Sequence, residues 1–289
     1  MSEETSPLLS SPDEPAEAGR LSDYWRRQLQ DWSPAIDLPA PPPNTAPALI
    51  RREFAVPAEL LSATDSDEVL LAVFGLALFR YSRQRDLVVG YSFGDHTYRD
   101  HVFPIRMQID EDETFGSLYR QVRETRNAAI QHAGLPAAAM AELLRSADRD
   151  PAEPALPALL ASQPDGADPA TLNAAPLAAD LELHLIVVGD ELNLLVRFDA
   201  ATLDATVMER FGEHFLNLLA AVAAQFTLPE PESTPPVAQL PILSPAEQRM
   251  LLEDWNATAA PGSAGCVHHL IERQVDRTPH AVAVSDGAG

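Results

Sequence analysis

The sequence predicts an α/β fold, a mixed sheet flanked by helices, and three stretches carry that expectation. "SDEVLLAVFGLALFRYS", residues 66–82, is apolar on nearly every side, so a helix built from it must be buried on every side. A short turn later "DLVVGYSF" reads as a central strand containing a glycine, and helix, short turn, buried strand is the order of an α/β protein. "LELHLIVVGDELNLLVRFDAA" alternates on both sides of Gly189-Asp190, a dipeptide that closes hairpins.

The remaining elements follow in order. Residues 1–19 are acidic and rich in Pro and Ser, with little to bury, and read as disordered. Leu21, Tyr24, Trp25 and Leu29 have the spacing of a short amphipathic helix, with Ser22 as its N-cap. "DLPAPPPNTAP" must then lie extended, and "ALIRREFAVP" alternates as a strand. "VFPIRMQID" is another strand. "TFGSLYRQVRETRNAAIQHAG" is an amphipathic helix with Thr114 as cap and Gly134 as stop. Residues 145–180 are rich in Ala, Pro and Asp and read as a loop. "TLDATVMERFGEHFLNLLAAVAAQ" is the last long helix of a body spanning residues 20–228. A proline-rich connector, residues 229–261, follows. Within it "LPILSPAEQRMLLEDWNATAAP" combines a strand-like start, a Ser-Pro cap and a short amphipathic helix. Residues 262–289 add one more helix and the strand "AVAVS", expected to be an unpaired edge that is either mobile or captured by a neighbour.

Composition narrows the function classes. Hydrophobic residues make up 46 % of the 289, enough for a sizeable core. Acidic groups outnumber basic ones 43 to 20, every base is Arg, and the net charge is −23. That charge argues against nucleic acid and against an anionic membrane surface. The single Cys266 allows no internal disulfide and fits a reducing cytoplasm, and no apolar run reaches the roughly 18 residues of a membrane span.

Catalytic signals are sparse. His96 and His101, with Asp100 between them, have a spacing that could hold a metal, but no second ligand cluster supports it. His184 lies in a strand and His214 on a helix, where surface or core roles are expected. No Gly-x-Ser-x-Gly elbow and no Gly-rich phosphate loop occur, and Cys266 has only His268-His269 beside it, with no orienting acid. The expectation is therefore no catalytic, cofactor or metal site. By contrast, a short helix carrying Leu251, Leu252 and Trp255 has too little area to fold alone and must dock, either on this chain's own body or on the body and a neighbouring domain together. Leu240, Leu243, Leu251, Leu252, Trp255 and Asn256 are the expected partner-binding residues.

The order of elements from "SDEVLLAVFGLALFRYSRQRDLVVGYSFGDH" through "GDELNLLVRFDAATLDATVMERFGEHFLNLL" resembles the C-terminal lobe of nonribosomal peptide synthetase condensation domains. The stretch around Trp255-Asn256 resembles the linker to an adenylation domain, and "CVHHLIERQVDRTPHAVAV", with Arg277-Thr278-Pro279, resembles the start of that domain. The resemblance implies a single chloramphenicol-acetyltransferase-like lobe, truncated, in a cytoplasmic system of secondary metabolism such as antibiotic biosynthesis. Its implied partners are an adenylation domain and a carrier protein, with a separate condensation N-terminal lobe as a further one.

Where this sequence departs from the family, function is affected. The family's catalytic His-His-x-x-x-Asp-Gly motif is absent from these residues, since His268-His269 continues as "LIERQ". Of His-Gln-Asp-x-Pro-Phe-Glu, only His132 and Pro136 remain, and the Gly-Phe-Phe-Val-Asn-Thr run is not matched. Of Arg-Asp-x-Ser-Arg-x-Pro-Leu, only Arg149, Asp150, Pro154 and Leu156 remain. The expected role is a structural and interaction platform. The alternative is half of an amide-forming domain whose catalytic lobe comes from another chain.

Overall fold

A computed structural model of the chain describes residues 15–57, 60, 67–92, 102–145, 154–162, 177–188, 191–226, 235–257 and 266–285. Two compact units emerge, residues 1–244 and 245–289. The first is built on six strands: β1 (Leu49–Ala55), β2 (Asp86–Ser92), β3 (Phe103–Gln108), β4 (Leu156–Ser162), β5 (Ala179–Val188) and β6 (Glu191–Asp199). Their order across the sheet is β1-β6-β5-β4-β2-β3. β2, β4 and β5 run parallel, while β1, β6 and β3 pair antiparallel with their neighbours. The sheet is thus mixed, as the sequence implied.

The helices of this unit are α1 (Pro15–Gln28), α2 (Asp67–Ser82), α3 (Phe115–Gln131), α4 (Ala137–Leu144) and α5 (Ala205–Phe226). α2 packs against α3, α5, β2 and β4, and every residue from Val69 to Phe79 is buried. An all-apolar helix has found neighbours on all sides. Thr114 caps α3 as expected, its side chain accepting the Ser117 N–H at 3.3 Å. Asp204 caps α5 by accepting the N–H groups of Thr206 and Val207 at 2.9 and 3.0 Å. β3 is an edge strand, and the Gln121 side chain of α3 covers part of that edge by bonding Gln108 N–H and C=O at 2.9 and 3.0 Å.

Arg106 of β3 grips Asp86 with two nitrogens, at 2.8 and 2.5 Å. Its remaining terminal nitrogen donates to Gln28 O and Gln30 O at 3.0 and 2.8 Å, which ties the end of α1 to the sheet.

Several expectations need correction. α1 starts at Pro15, so Ser22 lies inside the helix instead of capping it, and residues 15–19 are helical. The stretch read as a loop contains β4, an interior strand with six successive buried residues. Its Pro157 hid it, because proline normally marks an edge. Here the proline lies ahead of the ladder to β2, which begins at Leu159. α4 was also missed. The tail "AVAVS" forms no strand, and Leu240-Pro241-Ile242 follows a 3₁₀ turn, Val237–Gln239, in place of a strand. The hairpin exists, pairing Val188 with Glu191, although its Gly189-Asp190 turn lies outside the described residues.

Neighbouring side chains fill the space beside position 90 on β2. A Cβ there would meet Leu156 Cδ1 at 2.7 Å, Val102 Cγ1 at 2.8 Å and Leu159 Cδ1 at 3.0 Å. Gly90→Val is expected to cost about 1–3 kcal/mol, the usual range for overpacking. Urea denaturation measures it, and an unchanged midpoint would mean the side chains of Leu156, Val102 and Leu159 give way without cost.

Candidate functional site

The connector divides into an anchored half and an exposed half. Pro236 bridges to Thr114, and Val237 N–H donates to Glu113 O at 2.8 Å. Val237 and Leu240 are part of the body's core. Arg80, in the last turn of α2, reaches over the 3₁₀ turn. Its Nη1 donates to Ala238 O at 2.9 Å and Leu240 O at 3.0 Å, with Val237 O at 3.5 Å. Burial, with Arg83 adding to it, pulls the Arg80 pKa below its ordinary value. Asn217 of α5 donates from Nδ2 to Ile242 O at 3.0 Å. Leu240 was expected to meet a partner, but it is 2 % exposed and packs into its own body. Leu243 is half-buried.

The second unit begins with α6 (Pro245–Arg249), which continues as a π-turn over Met250–Asp254. Trp255 N–H closes that turn on Met250 O at 3.0 Å. Asn256 then donates from Nδ2 to Leu251 O and Leu252 O at 2.8 and 3.1 Å, so its side chain caps the helix end. Leu251 is half-buried, while Leu252 and Trp255 are 72 % and 62 % exposed. They stand three residues apart along the turn. On α7 (Val267–Arg277), Val267, Leu270, Ile271 and Val275 recur at helical spacing, and all four are exposed.

Two of the described histidines, His184 and His214, are buried in the body. His184 is buried on β5, where Nε2 lies 2.9 Å from Glu182 Oε2. Arg197, directly across on β6, donates from Nη1 to the same oxygen at 2.6 Å. Glu182 and Arg197 are each 1 % exposed. The neighbours Leu181, Leu183 and Val196 point to the helix-covered face, so this charged cluster lies on the other. Burial alone would raise the Glu182 carboxyl. The hydrogen bond and charge of His184, the Ala178 N–H and Arg197 outweigh it, and hold the pKa below its ordinary value. The pairing of Glu182 with Arg197 was legible as two opposite charges placed symmetrically about the hairpin turn. His214 is equally internal, with Nδ1 2.7 Å from the Tyr81 hydroxyl. His96, Asp100, His101, Arg149 and Asp150 lie outside the described residues.

Cys266, His268 and His269 offer three soft ligand atoms within 4.8 Å of one another on the first turn of α7, and all three are exposed. They sit at the positive end of a helix, which opposes a cation, and no hydrogen bond orients either imidazole among the described residues.

The condensation-domain family model matches residues 14–252, spanning the sheet, its helices and the anchored connector. The chain belongs to the condensation-domain family. Malpibaldin synthetase of Mortierella alpina is 25 % identical over 301 residues, covering 92 % of this chain and 5 % of that protein. Phosphinothricin tripeptide synthetase PhsC of Streptomyces viridochromogenes is 28 % identical over 301 residues, covering 92 % of this chain and 27 % of that one. The chain thus spans a small part of these relatives. A holo four-domain nonribosomal peptide synthetase bound to AMP and glycine superposes with a TM-score of 0.64, at 16 % identity, over 92 % of this chain and 23 % of the other. The X-domain from teicoplanin biosynthesis gives 0.58 at 21 % identity, over 80 % and 58 %. The likeness shows the fold: a chloramphenicol-acetyltransferase-like mixed sheet flanked by helices.

His132 and Pro136, which the resemblance singled out, have structural work. His132 ends α3, its Nδ1 2.8 Å from Ala128 O. Its ring stacks on Tyr24 with centroids 3.7 Å apart and planes 5° apart, and its carbonyl accepts from Trp25 Nε1 at 3.0 Å. Pro136 opens α4, where a residue without an N–H leaves no helix bond unmade. His132, Leu135, Met140, Leu144 and Leu156 line an apolar cavity of about 190 Å³. Among the described residues, no helix is long and apolar enough to cross a membrane.

Proposed function

We propose that these residues form the C-terminal lobe of a nonribosomal peptide synthetase condensation domain, with its connector and the first helix of an adenylation domain. They act as a platform that carries and docks the adenylation domain, next to a carrier protein, and they do not themselves form the amide bond. One observation carries this reading: directly after a connector bonded to the body, Leu252 and Trp255 are left exposed on a turn too short to fold alone. The exposed stripe on α7 agrees with it, being the kind of surface a larger domain would cover.

The chemistry supports the same division. Amide formation needs a base or positioning group within about 3 Å of the attacking amine. His184 and His214 are both buried and engaged internally. In a single-turnover assay with donor and acceptor groups loaded on carrier proteins, this chain is expected to give no amide above the uncatalysed rate. Amide formation by the chain alone would overturn the platform reading. Formation only after a separate N-terminal lobe is added would favour the half-domain alternative.

A further inference from the structure

We infer that Arg80 is a positioning residue that fixes where the connector leaves the body. Within the 3₁₀ turn Val237–Gln239, Val237 O accepts from the Leu240 N–H at 3.4 Å, while Ala238 O and Leu240 O, at the end of the turn, are met by Arg80. One nitrogen of Arg80 gathers Val237 O, Ala238 O and Leu240 O. Val237 and Leu240 supply burial on the other side of the turn. Burial is non-directional and would tolerate sliding, whereas three carbonyls converging on one cation set the register. The Thr114–Pro236 bridge upstream and the Asn217 bond to Ile242 O downstream bracket the same segment.

The consequence concerns reach, and it rests on the docking role proposed above. With the anchor in place, the tether to Leu252 and Trp255 counts from about residue 243. Released beyond the Thr114–Pro236 bridge, it would count from about Val237. A longer tether dilutes the docking segment around its target, since effective concentration falls with tether length.

Hydrogen exchange on the full chain tests the anchor without any partner. In Arg80→Gln, which keeps one amide donor, the amides of residues 237–240 should exchange about tenfold faster or more, the size expected for losing charge-assisted bonds. Leu183 and Val196 in the sheet should exchange as in the parent, and Arg80→Lys should recover part of the protection. Unchanged exchange at 237–240 would overturn the inference, as would equal acceleration at Leu183 and Val196, which would make Arg80 a general stability residue. Calorimetry against an adenylation domain supplied separately distinguishes the two proposals. Arg80→Gln should bind within about twofold of the parent, because Leu252 and Trp255 are intact and no tether is involved. If exchange responds while Trp255→Ala binds normally, the anchor stands and the docking role falls.

Discussion

Arg197→Met is expected to destabilise the fold by about 3–5 kcal/mol, the range for removing one partner of a buried ion pair. A domain typically holds only about 5–15 kcal/mol in total, so the variant should be at the edge of unfolding. The reason lies in what stays behind. Glu182 would keep Ala178 N–H at 2.5 Å and His184 at 2.9 Å, but lose the guanidinium at 2.6 Å while still buried. Replacing both charges, as Glu182→Leu with Arg197→Met, should cost less than Arg197→Met alone, because no carboxylate is stranded. Urea titrations of the single and double variants measure this. A single-variant cost below about 1 kcal/mol, the usual worth of an exposed pair, would mean the cluster is solvated.

The same cluster sets a pH dependence. Glu182 has a folded-state pKa below its unfolded value, so its contribution to stability is present above the unfolded carboxylate pKa. It is lost as the pH falls through the folded value, in the window below about pH 4. Arg197→Met removes one of the causes of the depression. Its deficit relative to the parent should therefore shrink in acid, where protonation neutralises the stranded carboxyl.

The parts of the fold legible in the sequence are those where one periodicity dominates. α2 is apolar on every side and could only be a buried helix, and the β5–β6 hairpin alternates cleanly around its turn. β4 was illegible because a strand buried on both faces has no alternation, and Pro157 pointed the wrong way. The candidate site was half legible. Leu252 and Trp255 stood out as large apolar residues on a short helix. Leu240 looked the same in sequence, yet it is buried, because Arg80 lies about 160 residues away and nothing local announces the contact. Asn256 likewise read as a contact residue, but its amide is committed to the carbonyls of Leu251 and Leu252.

Trp255→Ala is expected to weaken association with an adenylation domain by about 2 kcal/mol or more, close to thirtyfold in affinity, as truncating an aromatic anchor usually does. The indole is 62 % exposed in the free chain, and Leu252, three residues earlier, is 72 % exposed. The π-turn between Met250 and Asp254 holds both in place, and the Asn256 cap closes the turn behind them. Trp255 has few rotatable bonds, so little conformational freedom is lost when it is covered. Leu252→Ala should show a smaller loss, in line with its smaller area. Leu240→Ala should act differently: it opens a cavity in the body and costs about 2–5 kcal/mol of folding stability, with affinity retained by whatever remains folded. Asp165, an acidic position outside the described residues that the sequence leads one to expect as a surface charge, should matter least, because such charges contribute about 0–1 kcal/mol. Calorimetry with the adenylation domain supplied separately measures all four. If Trp255→Ala binds like the parent while Asp165→Ala loses affinity, docking runs through the acidic residues, and the exposed turn has another purpose.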